Sequence, residues 1–258
     1  MNDSILSNRE IRRYSRQIML PEIGITGQEK LKKSKVIVVG AGGLGCPVLQ
    51  YLAAAGTGRL AIAEFDTVNE TNLQRQILYG SGDIGKLKSI IAAGRIEMLN
   101  DLVETERLNL KIDRTNSLRI LQDYDIVVDA TDNFAARYLL NDSCVILGKP
   151  LVHGAIYKFE GQVSVFNYRG GPTYRCWLPR PGALKSGDPS PSETGIPGVL
   201  PGITGTIMAN EVIKIITGYG SVLSGKIMIF NIKDYEFRFL EIPVNPGNLG
   251  RKLLDEKY

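Results

Sequence analysis

An α/β fold, with a doubly wound, mainly parallel sheet and an antiparallel C-terminal extension, is predicted by three features of the sequence. Apolar runs alternate with helical patterns up to about residue 154. The first strong run, Val36-Ile37-Val38-Val39, enters a turn rich in glycine at Gly40, Gly42, Gly43 and Gly45. Beyond residue 155 the pattern changes to short alternating segments that suit antiparallel strands.

The elements follow in order. Residues 8–20 carry Ile11, Tyr14, Ile18 and Met19 at helical spacing, with Ser7 or Asn8 as cap and Pro21 and Gly24 as stop. Arg12, Arg13 and Arg16 cover the other side, which by spacing alone is a solvated face. A short helix over 28–33 leads into the glycine strand, and a helix over 47–55 leaves it. A strand over 59–66 ends in Glu64-Phe65-Asp66. A helix over 87–99, a weak strand over 103–110 interrupted by charges, and a helix over 117–122 come next. Residues 125–132 read as a buried strand ending in two acids, followed by a helix over 133–147 and a short strand over 150–154. Residues 161–167 alternate. Residues 177–202 are rich in Pro, Gly and Ser and predict a loop without regular structure. A helix over 206–217 and strands over 226–231 and 236–242 complete the pattern, and the polar end from 245 is expected to fray.

The chain of 258 residues suits one large α/β unit, 1–258, with a mainly parallel half at 8–154 and an antiparallel half at 155–245. An apolar fraction of 43% and a charged fraction of 22% are ordinary for a globular protein. A net charge of +4 permits an anionic substrate or an acidic partner, and no dense basic run with interleaved aromatics calls for nucleic acid. No apolar stretch reaches the length of a membrane span, and the first residues lack the apolar core of a signal peptide. Cys46, Cys144 and Cys176 are few and odd in number, which points to a reducing compartment, by default the cytoplasm.

The glycine turn carries the chemistry. Without Cβ atoms, backbone N–H groups approach a phosphate closely, and the N-terminus of the following helix adds partial positive charge. G-x-G-x-x-G alone is a weak signal, but a strand precedes it, a helix follows, and Glu64 and Asp66 lie about 20 positions on, where an acid accepts from a ribose hydroxyl. By itself this pattern also fits a dinucleotide-dependent oxidoreductase.

Further motifs narrow the reading. R-Y-S-R-Q-I (13–18), G-A-G-G-L-G (40–45), E-F-D-T-V-x-x-x-N-L-Q-R-Q (64–76), G-K-L-K (85–88), D-A-T-D-N (129–133) and a G-x6-G-Q pattern (154–162) occur in this order. Together they resemble the ThiF/MoeB/HesA family, bacterial relatives of ubiquitin-activating enzymes, over about residues 8–245. The resemblance implies adenylylation of the C-terminal glycine of a small ubiquitin-like sulfur-carrier protein ending in Gly-Gly, with ATP and Mg²⁺ and release of pyrophosphate. It places Arg75 and Lys88 at the phosphates, with Lys86 as the competing lysine, and Asp132 on Mg²⁺. It puts Glu64 at the ribose, where relatives usually have Asp, with Asp66, Asn72 and Gln76 completing the nucleotide pocket. Arg16 matches an arginine that reaches into a partner's site, which implies a homodimer and revises the solvated-face reading. Asp129 is expected to be structural. His153 is expected in the core, as are Cys46 and Cys144. Trp177 and Tyr174 either line the path of the carrier tail or pack.

Departures from the family matter too. Many relatives bind a structural zinc through two C-x-x-C pairs. Here the first position set is Thr173-Tyr-Arg-Cys176 and the second, near 245–251, has no cysteine. Four ligands are needed, so no zinc is expected and the C-terminal strands are expected to be held by packing alone. A loop cysteine that some relatives use in carrier transfer is replaced by the Ser190–Thr194 stretch, and the C-terminal rhodanese domain that some relatives carry is not within these 258 residues. The resemblance leaves a non-catalytic nucleotide-binding or carrier-docking relative as the alternative. The oxidoreductase reading is disfavoured because Arg75, Lys88 and Asp132 suit a triphosphate and a metal, and no hydride-transfer residue is evident.

Overall fold

A computed structural model describes residues 4–179, 195–256 and 258. Eight strands form one sheet in the order β3-β2-β1-β4-β5-β6-β7-β8. β1 (Lys35–Val39), β2 (Arg59–Ala63), β3 (Glu104–Leu108), β4 (Ile126–Asp129) and β5 (Leu151–Tyr157) run parallel to one another. β6 (Glu160–Phe166), β7 (Lys226–Asn231) and β8 (Glu236–Glu241) add on antiparallel. This is the mixed α/β sheet that the sequence predicts.

The continuous apolar runs are explained by burial on both faces. In β1, Val36 and Val38 face a core formed with α4 (Gly45–Ala55), α5 (Lys88–Leu99) and α9 (Val199–Thr217). Ile37 and Val39 face the other core, with α6 (Ser117–Leu121) and α7 (Phe134–Leu147). The chain leaves β1 toward β2 on one side and returns at β4 on the other. A crevice therefore opens beyond the carboxyl ends of β1 and β4, the place where such sheets bind ligands.

Several expectations are corrected. The 8–20 helix breaks into α1 (Asn8–Arg13) and α2 (Ser15–Ile18), with Ser7 as the N-cap. The break lies at Tyr14, whose buried hydroxyl accepts from Asn100 Nδ2 at 2.9 Å. Gly24 does not end a helix but begins α3 (Gly24–Lys33). α9 starts at Val199 rather than 206, because Pro201 falls in its first turn, where no N–H is needed. By length and composition alone α9 is long and apolar enough to cross a membrane, contrary to the expectation that no stretch reaches that length. It packs instead on the sheet, with Leu200, Met208 and Val212 fully buried. Of the expected 177–202 loop, residues 180–194 lie outside the described residues, and so does the Ser190–Thr194 stretch.

The C-terminal end is not frayed, nor are the last strands held by packing alone. Asp142 of α7 is fully buried and takes both Arg175 Nε and Nη2 at 2.7 Å. Tyr258 Oη donates to the same carboxylate at 2.9 Å, and Arg251 Nη1 lies 3.2 Å from it. Arg175 and Arg251 also bind Asp255, at 2.6 and 2.5 Å. Beside this network, Cys176 Sγ accepts from the backbone N–H of Thr173 and Asn245, both at 3.4 Å, and from Asn248 Nδ2 at 3.7 Å. Thr173, Cys176, Asn245 and Asn248 thus meet where the 173–176 and 245–251 stretches come together, the two stretches at which the family resemblance would place a zinc site. One thiol among hydroxyl and amide groups is not a zinc donor set, and the segment is tied down by ions and hydrogen bonds.

Candidate functional site

The crevice is lined by Gly40, Gly42, Gly43, Glu64, Asp66, Arg75, Gln76, Lys88 and Asp132, nine of the residues singled out in the sequence. Gly40 turns the chain out of β1 at φ +97°, and a Cβ there would stand 2.7 Å from the Ala130 carbonyl. Only glycine fits both constraints. Gly42 and Gly43 face the crevice, whereas Gly45 does not. A Cβ on Gly45 would lie 2.0 Å from the Gly40 carbonyl, so its role is to let α4 begin against the turn.

Glu64 closes the end of β2 and is almost buried. Its Oε2 accepts from Ala41 N at 2.9 Å, and its Oε1 from Phe65 N at 2.8 Å and Asp66 N at 3.0 Å. The carboxylate therefore fastens the glycine turn to β2. Gln76 is buried beside Gly42, and its Oε1 has no partner among the described residues. Asn72 does not line the crevice. Its Oδ1 accepts from Asn69 N at 3.2 Å and caps the 3₁₀ turn Glu70–Asn72, which sets the direction of Arg75.

The two competing lysines separate cleanly. Lys88 begins α5, is 5% exposed and points into the crevice, with Nζ 3.4 Å from Asp66 Oδ2. Lys86 is largely exposed and sits 3.6 Å from Asp83 instead. Arg75 spans the rim, its Nη1 donating to the Thr71 carbonyl at 3.0 Å.

Across the crevice, Asp132 stands exposed on the turn after β4, with one oxygen 3.4 Å from Asn133 Nδ2. The turn is held from below. Asp129 Oδ1 accepts from Thr131 N at 3.1 Å and Thr131 Oγ1 at 2.6 Å, and Oδ2 lies 2.8 Å from His153 Nδ1. Asp129 and His153 are buried, as expected of structural groups. Burial alone would raise the Asp129 pKa, but His153, Arg137 and Thr131 hold it below the usual range. Burial pushes His153 down, which keeps its ring neutral. Among the described residues no group of three or more His, Cys, Asp or Glu side chains is gathered to hold a metal. Asp132 alone suits an ion that arrives with phosphates and keeps its waters.

Arg16 is exposed on α2, away from the crevice, and makes no ion pair or hydrogen bond with a described residue. Cys46 and Cys144 are buried, and desolvation pushes the Cys46 thiol up to about 12 and Cys144 higher. Two cations that sequence reading missed also line the crevice, Lys111 and Arg137. Lys111 follows the strand whose pattern was weakest. Arg137 sits inside a strongly helical stretch, where an arginine carries no positional signal; only the turn at Asp132 brings it to the crevice.

The ThiF family pattern matches residues 14–249. The chain is 48% identical over 248 residues to the sulfur carrier protein adenylyltransferase of Thermus thermophilus, covering 93% of this chain and 90% of that protein. It is 48% identical over 237 residues to the adenylyltransferase and sulfurtransferase MOCS3 of Anopheles gambiae, covering 92% of this chain but 54% of that one. The chain thus spans about half the length of such two-activity relatives. Among solved structures, PaaA superposes with a TM-score of 0.79 at 25% identity, over 94% of this chain and 86% of that one. Escherichia coli MccB superposes with a TM-score of 0.81 at 22% identity, over 100% and 77%, which speaks for the fold alone.

Proposed function

The chain belongs to the ThiF family, and we propose that it adenylylates the C-terminal glycine of a ubiquitin-like sulfur-carrier protein, using ATP and releasing pyrophosphate. The observation that carries this reading is one crevice with a phosphate-cradling turn and cations on one side and a carboxylate turn on the other. Its likeness to an adenylyltransferase over nearly the full length of both chains supports the same activity.

The reaction asks for what the crevice offers. A carboxylate oxygen of the carrier bonds to the α-phosphorus as the bond to the bridging oxygen breaks, and pyrophosphate leaves with the electron pair. Both reactants are anions, so bringing them together is chiefly a matter of positioning and charge. Lys88 and Arg75 neutralise the polyphosphate, one as a point charge and one as a fork. Gly42 and Gly43 let the backbone approach it, and Glu64 accepts from the ribose. Asp132 would hold Mg²⁺, whose charge would further neutralise the phosphates. The partner is a carrier with a Gly-Gly end, and the working unit is a homodimer in which Arg16 of each copy completes the other's site. The free, exposed position of Arg16 supports that arrangement.

The test is carrier-dependent ATP–pyrophosphate exchange, offering carriers of the molybdopterin, thiamine and thiolated-nucleoside pathways. Exchange with one of them establishes the activity. ATP binding without exchange, whichever carrier is offered, would favour a docking protein without chemistry.

A further inference from the structure

Arg137 is a buried guanidinium without an acid to answer it. It lies one turn into α7, is 5% exposed, and lines the crevice with Thr131, Asp132 and Asn133. Nη2 reaches the Thr131 carbonyl at 3.3 Å, and the Tyr174 hydroxyl lies within hydrogen-bonding reach. The face of Phe134 stacks 5.1 Å from its central carbon. Nε–H is buried and has no partner among the described residues. No Asp or Glu oxygen forms an ion pair with it among the described residues. The buried carboxylate whose charge it feels, Asp129, is already engaged by His153 and Thr131. A charge taken out of water with a donor unmet is costly unless an anion joins it. The open side of this guanidinium is the crevice.

Two anions must meet there, the triphosphate and the acyl carboxylate. Arg75 and Lys88 stand with the glycine turn and the ends of β1 and β2. Arg137 stands apart from them, on the side of β4 and α7. The crevice lining also includes Ile156 of β5 and Ile196, apolar side chains suited to an uncharged tail. Resting on the adenylylation reading, we propose that Arg137 binds the terminal carboxylate of the incoming carrier tail. Its fork holds the oxygen that does not attack, leaving the other to bond to the α-phosphorus as pyrophosphate departs. No proton moves in that step. The fork also offsets repulsion between the carboxylate and the phosphates as they close.

The test uses Arg137→Gln and Arg137→Lys in the full chain, with ATP affinity and carrier kinetics measured separately. Arg137→Gln is expected to raise the carrier KM about 30-fold or more, as loss of one partner of a buried charge pair does, while the ATP Kd stays within about twofold. A parallel loss of ATP affinity makes Arg137 a phosphate clamp and overturns the proposal, as does an unchanged carrier KM. A second readout keeps the test valid should the glutamine variant fold poorly. Binding of a carrier with a free C-terminus is compared with that of the same carrier ending in an amide. The wild type is expected to prefer the carboxylate by about tenfold or more, and Arg137→Lys to lose most of that preference. A preference that survives in Arg137→Lys, or is missing in the wild type, overturns the assignment. Exchange by the wild type with a carrier tells these failures apart from failure of the adenylylation reading itself.

Discussion

Asp142→Asn isolates the network that holds the C-terminal end. The wild-type carboxylate is fully buried and meets Arg175 through two bonds of 2.7 Å, Tyr258 at 2.9 Å and Arg251 at 3.2 Å. An amide can accept through one oxygen only, and its NH₂ faces the guanidinium donors. Arg175, itself nearly buried, is left with Asp255 as its remaining acid. Removing one member of a buried pair costs about 3–5 kcal/mol. The half-exposed Asp255 recovers part of this, so about 2–4 kcal/mol is expected. For a chain of this size that lowers Tm by about 5–15 °C. The assay is reversible denaturant unfolding, read by the shift in midpoint at constant m. The double variant Asp142→Leu with Arg175→Met removes both charges and should be more stable than Asp142→Asn, because no unpaired ion remains buried. A loss below about 1 kcal/mol, or single effects that simply add in the double variant, would refute the view that this pair fastens the C-terminal end.

The other predictions concern the crevice and its support. Lys88→Ala should cut carrier-dependent exchange by about 100-fold or more, and Lys86→Ala should leave it within about twofold, since of these two lysines Lys88 alone faces the crevice; equal effects in the exchange assay would contradict that division. Arg16→Ala should abolish exchange without lowering Tm, and mixing it with Lys88→Ala should restore part of the activity through hybrid dimers carrying one intact site. Activity in the unmixed Arg16→Ala protein, or no recovery on mixing, would argue against a shared site. Acid should destabilise the fold in two windows. His153 has a folded pKa below its unfolded value of about 6.5, so the folded state binds fewer protons and stability falls as the pH drops below about 6.5. Asp129, also depressed, contributes stability above about 3.9 that is lost as the pH falls through its folded value. A Tm profile against pH should lose the upper of these two slopes in His153→Gln, and an unchanged profile there would remove His153 from the account.

What was legible in the sequence was whatever backbone geometry or periodicity enforces. Val36 to Val39 had to be a strand buried on both faces, and Gly40 had to be a turn no other residue could make. The lysine at 88, the arginine at 75 and the acid at 132 were legible through motif order, and the fold brings all three to one crevice. What was not legible depends on distant partners. Tyr14 breaks the first helix because Asn100 pins its hydroxyl. Asp142, Arg175, Asp255 and Tyr258 stand on three separate segments, and nothing local announces that they meet. The polar tail therefore read as frayed when it is tied by charge. Arg137 was invisible for the same reason. A helix pattern predicts which residues face a sheet, and says nothing of a guanidinium buried at the helix's first turns beside a crevice.

Glu64 carries the comparison between motif and structure one step further. The family resemblance implies Asp at this position, and the added methylene of glutamate changes the reach of the carboxylate. The structure shows what the reach accomplishes: one oxygen takes Phe65 N and Asp66 N, and the other takes Ala41 N inside the glycine turn. A carboxylate oxygen accepts about two hydrogen bonds. Oε1 is therefore filled by the backbone, while Oε2, bonded once, keeps capacity for a ribose hydroxyl. The turn and the sugar then depend on the same oxygen. Shortening the side chain draws that oxygen back from Ala41, so Glu64→Asp should loosen the phosphate cradle together with the ribose contact. Glu64→Gln keeps the length but leaves one accepting oxygen: at the Oε2 position it serves both Ala41 N and the sugar, at the Oε1 position neither, so the two losses are expected together. Affinities for ATP and for its 2′,3′-dideoxy analogue, measured on both variants, distinguish the roles. A glutamine variant that loses the preference for ATP over the analogue, yet still binds the analogue as the wild type does, would leave Glu64 as a sugar ligand only and remove its hold on the turn.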